Sequence, residues 1–396
     1  MSVPSTMTTI RIRVRMSSRP VDEPHRASSQ LELLFDLTFV VAVAAVTAQF
    51  AHAIAEGHAL TGLVPFLQVF FAIWWAWMNF TWFASSYDTD DVPYRLLTMV
   101  QMAGVLVLAA GVPAAVGHAD LGIITLGYLI MRVGLVAQWL RAAFEDPASR
   151  RTGLRYAAGI ALAESGWLLR LALVEAGLLP ASLRLPFFAC LVVLELAVPR
   201  WAERVRATTW HPHHIAERYG LFTIILLGES VLAASRGVEG ALEAGPLVVI
   251  AGSGLVLLFA LWWLYFLVEA GEGLSDRRRR SYWWGYGHFG VFAALAALGA
   301  GLEVAVEQSG QQVAASPMAL GYAVAIPVGV YLVLLRAVHA LLDADSVMPR
   351  TAVAGCVGAV VSSPLAAPWI GVAAVVAMIA TACVALVAVA IWTVRG

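Results

Sequence analysis

The chain has 396 residues, 60% of them hydrophobic and 13% charged, with a formal net charge of −1 and a mean hydropathy of +0.79. A soluble domain of this composition would expose far too much apolar surface to water, so the sequence reads as an all-α polytopic membrane protein. No stretch outside the apolar segments is long enough to form a catalytic domain, which confines any function to the helix bundle or its faces.

Residues 1–30 are rich in Arg and Ser and poor in acids, a composition shared with organellar transit peptides, and they read as a disordered, basic cytoplasmic tail. No apolar signal-peptide core precedes residue 31. A bilayer needs about 20 mostly apolar residues per helical span. Such stretches follow near 31–53, 62–84, 96–116, 120–142, 153–175, 181–199, 215–235, 244–268, 283–302, 317–341, 350–367 and 369–393, twelve in all. Pro364 and Pro368 shorten the eleventh.

The spans repeat. Residues 71–75 read FAIWW and residues 259–263 read FALWW, which places Trp74 and Trp262 188 positions apart. Upstream, Glu32 heads ELLFDLTFVVAVAAVTA and Glu217 heads ERYGLFTIILLGESVLAA, 185 apart; downstream, Gly127-Tyr128 and Gly321-Tyr322 open matching stretches 194 apart. Three landmarks in one order predict a first six-helix repeat over 31–199, a cytoplasmic linker over 200–214 and a second six-helix repeat over 215–396. An even number of spans per copy makes the copies parallel, related by a pseudo-two-fold axis along the membrane normal, with the working site expected where they meet.

Arginine sets the orientation. The chain has no lysine, and with the N-terminus inside, nineteen arginines from Arg11 to Arg395 fall on the cytoplasmic side while only Arg184 and Arg236 fall outside. This bias predicts a plasma-membrane protein with both termini cytoplasmic. Arg277–Arg280 fix topology and touch anionic lipid headgroups rather than nucleic acid.

Ionisable residues inside the hydrocarbon are costly to insert and mark the candidate site. Glu32 and Asp36, four apart, share one face of the first span. They read either as a cation- or proton-binding carboxylate pair or, for Glu32, as the acid of a Ser29-x-x-Glu32 capping box. In the second copy His211-Pro212-His213-His214 leads into Glu217 and Arg218, with His214, Glu217 and Arg218 on adjacent turns of one face. Glu229 follows twelve residues after Glu217, about 18 Å deeper along the helix, where capping cannot explain it. Arg132, Glu164, Arg170, Glu195 and His288 also lie within spans, and the carboxylates are the available partners for Arg132 and Arg170. They form either a lock between helices or a proton relay.

The histidines have donor types that suit a metal, but beside an arginine-rich loop they read as solvated, and neither a metal nor a cofactor is expected. The acidic loop Asp88-Thr89-Asp90-Asp91 lacks calcium-loop spacing and reads as capping and solvation. Cys190, Cys356 and Cys383 are far apart in sequence and read as core residues. The tryptophans read mainly as an interfacial belt, with Trp74, Trp75, Trp262 and Trp263 placed deeper. Walker A, Rossmann, HExxH and serine-elbow motifs are absent.

The stretch Leu31–Val40 and the segment from His214 to Ser230, with His288, resemble the signatures of the bacterial low temperature requirement A family. The resemblance runs from about residue 25 to 390. It implies a multi-pass bacterial membrane protein and singles out Glu32, Asp36, His214, Glu217, Arg218, Glu229 and His288, without naming a substrate. Twelve spans, a duplication and buried carboxylates fit a secondary transporter, proton-coupled, of an unknown small substrate or ion. A membrane-embedded enzyme acting on a lipid or isoprenoid-linked substrate, and an ion channel, are the alternatives. The sequence leaves the oligomeric state open.

Overall fold

Both ends of the first long helix are written in the sequence. Helix α1 (Gln30–Ala55) starts where the Ser29 hydroxyl accepts from the Glu32 N–H at 3.3 Å and a Glu32 carboxylate oxygen accepts from the Ser29 N–H at 2.7 Å, a reciprocal capping box. It stops at Gly57, whose φ of +78° lets the His58 N–H reach the Ala53 carbonyl and its own N–H reach Ile54. The computed structural model describes residues 12–21, 23, 24, 26–236, 245–308, 313–342 and 347–395. Arg11, which counts toward the orientation, lies outside them.

Among the described residues every regular element is helical: α2 (Ala59–Tyr87), α3 (Val92–His118), α4 (Gly122–Glu145), α5 (Arg150–Glu175), α6 (Ala181–Ala202), α7 (Pro212–Arg236), α8 (Gly245–Tyr265), the short α9 (Ala270–Asp276), α10 (Ser281–Glu307), α11 (Pro317–Leu342), α12 (Arg350–Ser362) and α13 (Ala367–Arg395). Ten stretches among these residues are long and apolar enough to cross a membrane, which makes the protein a multi-pass membrane protein. Sequence reading expects twelve. The difference has two sources. Helix α7 carries Glu217, Arg218 and Glu229 and falls outside the ten, and residues 350–393 run on as one stretch. That last stretch is not straight, because Gly371 inside α13 has φ +79°.

The chain forms two compact units. The first comprises the described residues up to Thr38, Ala76–Gly111 and Leu121–His211; the second comprises Phe39–Trp75, Val112–Asp120 and the described residues from Pro212 onward. They do not coincide with the expected halves 31–199 and 215–396, since α1, α2 and α3 contribute to both units.

In the first unit α4 packs on α5 and α5 on α6. Helices α3 and α4 approach so closely at Gly127 that a Cβ there would lie 2.4 Å from the Leu108 nitrogen. Polar groups at that interface are matched: Gln101 donates to Gln138 at 2.9 Å, and Gln138 donates to Thr98 at 3.1 Å. The described residues among 12–29 contain no helix, and their backbone is tied down at several points. The Val14 N–H donates to Asp91 at 2.8 Å, the Met16 N–H to Glu145 at 2.6 Å and the Arg19 N–H to the Ser86 carbonyl at 2.9 Å, and the Met16 side chain is buried. Carboxylates at helix ends, invisible as partners in sequence, supply two of these three acceptors.

In the second unit α10 is the enclosed helix, packed on α7 and α11, while α13 packs on α8. Its run of alanines and glycines permits this. A Cβ at Gly301 would sit 2.3 Å from the Ala323 carbonyl oxygen of α11. Phe71 stacks on Trp75, and Phe71, Trp74 and Trp75 pack edge-on or tilted against Tyr286 and Phe289 in the interior. Trp74 and Trp75 are no more than 1% exposed, whereas Trp262 and Trp263 are 43% and 48% exposed. The repeated motif thus occupies different surroundings in its two occurrences.

Candidate functional site

The capping acid at the start of α1 belongs to a charge cluster in the first unit. Glu32 is buried and lies 3.5 Å from Arg26, which lies 3.5 Å from Asp88; Arg19 approaches Asp88 at 3.8 Å. Burial, followed by the negative charge of Glu32, pushes the Asp88 carboxyl up to about 6, against the pull of Arg26 and Arg19. In the same loop Asp91 caps α3, accepting from the Tyr94 N–H at 3.1 Å. Arg141 grips it in a two-pronged contact of 2.8 and 2.6 Å. Burial raises the Asp91 carboxyl, but Arg141 and the backbone N–H groups of Val14 and Tyr94 outweigh it and hold the group down at about 2. Capping is as the sequence suggests; solvation is not, since Asp88 and Asp91 are both enclosed. One turn beyond Glu32, buried Asp36 accepts the Trp77 indole N–H at 2.7 Å.

A second cluster lies deep among the apolar residues of α4, α5 and α6. The Tyr128 hydroxyl accepts from Arg132 and donates to Glu195 at 2.8 Å. Arg132 approaches the same Glu195 oxygen at 3.3 Å, and the Trp167 indole donates to it at 3.2 Å. The Arg132 guanidinium also lies over the Tyr128 ring, 4.3 Å from its centroid. Glu164 of α5 is buried within electrostatic reach of Arg132 and Glu195, yet neither of its oxygens has a hydrogen-bond partner among the described residues. Two carboxylates therefore share one guanidinium. Arg170, by contrast, pairs with no acid among the described residues and lies over the Phe188 ring at 5.8 Å.

In the second unit His214 and Arg218 are both fully buried on α7, but Glu217 is exposed. The expectation that all three share one face is corrected: Arg218 lies about 40° from His214 on one side, while Glu217 lies about 60° to the other side and about 100° from Arg218, at the exposed rim of that face. Glu229 is half-buried rather than enclosed. His288 of α10 lies among Tyr219, Tyr265, Trp284 and Phe292, its Nδ1 2.8 Å from the Trp284 carbonyl and its Nε2 3.1 Å from the Tyr265 hydroxyl.

Several residues at these places escape sequence reading. Tyr128 stands one turn before Arg132, a spacing that could have flagged it. His339, a buried imidazole in an apolar span, carries the same signal as His288. Cys356 and Cys383, distant in sequence, are brought together as α12 packs on α13, and the Cys356 thiol donates to the Ala382 carbonyl at 3.4 Å. Cys190 is exposed rather than a core residue.

Charged side chains sequestered inside a set of membrane-length apolar helices define a polytopic integral membrane protein. The chain belongs to the bacterial low temperature requirement A (LtrA) family, whose model matches residues 27–391. It is also similar to an uncharacterized protein of Rhizobium meliloti (strain 1021), 26% identical over 280 residues; the match spans 67% of this chain and 66% of the relative, just under two thirds of its length.

Proposed function

We propose that the protein is a proton-coupled secondary transporter of the bacterial plasma membrane, with the Arg132–Glu195–Glu164 cluster as its proton site. The observation that carries this is the imbalance of two buried carboxylates against one guanidinium. Arg132 neutralises one acid. A second ionised carboxylate in hydrocarbon would cost several kcal/mol, so Glu164 takes up a proton instead. Bare of donors, its carboxyl is the group that can gain and lose that proton with the least disturbance of neighbouring contacts.

The architecture in this reading is twelve spans in two parallel six-helix copies with both termini cytoplasmic. Helix α7, 25 residues long, reaches about 37 Å and is long enough to cross despite its charges. The 44-residue stretch from Arg350 to Thr393 would measure about 66 Å as one helix, roughly twice the hydrocarbon thickness, so the Pro364–Gly371 region divides it in two. Tight glycine contacts at both the α3–α4 and α10–α11 interfaces fit the duplication.

The test uses proteoliposomes holding a pH-sensitive dye, screened against a panel of small solutes across an imposed pH gradient. A solute that collapses the gradient with the wild-type protein, and not with Glu164→Gln, supports the reading. A panel in which no solute moves protons, or in which Glu164→Gln moves them as the wild type does, overturns it.

A further inference from the structure

The second unit contains a crevice of about 200 Å³ that the proton site does not use. Its lining includes Tyr265 and Phe266 at the end of α8, Glu269 in the following turn, Trp284 and His288 of α10, and His339 of α11. The hydrogen bonds fix which atoms donate. His288 Nδ1 faces the Trp284 carbonyl, which can only accept, so Nδ1 carries the ring proton. The ring is enclosed and neutral, its Nε2 is a bare acceptor, and the Tyr265 hydroxyl donates to it. The Tyr265 oxygen, also approached by the Thr223 side chain, keeps a lone pair for a further donor. His339, only 4% exposed, donates from one ring nitrogen to the Tyr265 backbone carbonyl, while its Nδ1 has no partner among the described residues. In a neutral ring that Nδ1 is likewise an acceptor.

Two residues of the lining, Tyr265 and His339, thus carry neutral acceptors, beside an exposed carboxylate on Glu269 and the aromatic side chains of Tyr265, Phe266 and Trp284; no arginine lines the crevice. Acceptors, a negative charge and aromatic rings together select a cation that bears N–H groups. The volume lies below the ~300 Å³ at which pockets for drug-sized ligands begin. We propose that this crevice binds a small primary or secondary ammonium, which donates to His339 Nδ1 and the Tyr265 hydroxyl oxygen and pairs with Glu269. The same ammonium is available on a free amine or on the ethanolamine headgroup of a lipid.

The inference goes beyond the transport reading and is tested without a gradient, so its failure leaves the Glu164 experiment untouched. Full-length protein in nanodiscs of phosphatidylcholine and phosphatidylglycerol, which carry no primary amine, is assayed for equilibrium binding of radiolabelled methylammonium. Saturable binding is expected, displaced by ethanolamine and not by tetramethylammonium, which has a charge but no N–H. Glu269→Gln, at an exposed turn, is expected to weaken binding at least tenfold, and His339→Phe to abolish it in protein whose melting shows it folded. Phosphatidylethanolamine in the disc that raises the methylammonium midpoint supports the proposal with the headgroup as occupant; an unchanged midpoint supports it with the free amine. Absence of saturable binding to the wild type, equal displacement by tetramethylammonium, or wild-type binding by Glu269→Gln overturns the proposal.

Discussion

Trp77 donates its indole N–H to Asp36 at 2.7 Å, and both side chains are buried in the first unit. A carboxylate one turn inside a membrane helix keeps its charge only where donors replace water. Trp77→Phe retains most of the ring volume and removes one such donor. It should cost about 1–3 kcal/mol, read as a lowered unfolding midpoint in detergent. Asp36→Asn should blunt that cost when the two are combined, because the amide no longer demands a charge-assisted donor. Strictly additive losses would mean that the contact contributes nothing.

The Arg141–Asp91 fork does more than join α4 to the cap of α3. Asp91 also accepts from the Val14 N–H, and Arg141 donates to the Val14 carbonyl at 2.6 Å, so the pair holds the extended segment before α1 on both sides. Asp91→Ala should release that segment. Trypsin should then cut after Arg13 and Arg15 markedly faster than in the wild type, while cleavage at the exposed Arg279 serves as a reference unaffected by the change. Cleavage after Arg13 and Arg15 at the wild-type rate, relative to Arg279, would show that the segment is held by something else.

The same loop should give stability two opposite dependences on pH. Asp88 has its carboxyl pushed up to about 6 from an ordinary 3.8, so its protonated form is favoured by folding. Its contribution is fully present below pH about 4 and is lost as pH rises through about 6. Asp91, held down at about 2, contributes fully above pH about 4 and loses that contribution as pH falls toward 2. Between pH 4.5 and 7, the wild type should therefore lose thermal stability relative to Asp88→Asn, whose amide does not titrate. Between pH 4 and 2, Asp91→Asn should show a shallower acid loss than the wild type. Parallel melting curves for Asp88→Asn and the wild type across the upper range would contradict the Asp88 assignment.

Much of this was legible in the sequence because the bilayer leaves few options. Apolar length gave the helices, Ser29 and Glu32 gave the start of α1, and the scarcity of charges inside spans pointed to Arg132, with Glu195 among its possible partners. What stayed hidden depended on rotation and on distant neighbours. Glu217 and Arg218 are adjacent in sequence, yet one is exposed and the other enclosed, since a single residue step turns the helix by 100°. Trp74 and Trp262 share a motif but not an environment, because burial depends on which neighbours a helix acquires. The anchoring of Val14 and Met16 could not be read from composition: their acceptors, Asp91 and Glu145, lie at helix ends far along the chain.

The Arg132 cluster allows its two carboxylates to be told apart by substitution. Glu195 receives Tyr128, Arg132 and Trp167 on a single oxygen, whereas Glu164 receives no hydrogen bond among the described residues. If Glu164 holds the proton that the transport reading gives it, Glu164→Gln should leave stability within about 1 kcal/mol of the wild type, since it deletes a carboxyl that is already neutral. In Glu195→Gln, Arg132 loses its charged partner, but Glu164 can surrender its proton and take over, so the loss should be moderate. The double substitution leaves Arg132 buried with neither carboxylate. It should lose the full ~3–5 kcal/mol expected for an unpaired buried charge, well beyond the sum of the single losses. Unfolding midpoints of the three variants in one detergent decide the matter. If the double variant loses only what the singles add up to, Glu164 does not back up Glu195, and the shared-proton account of this cluster is wrong.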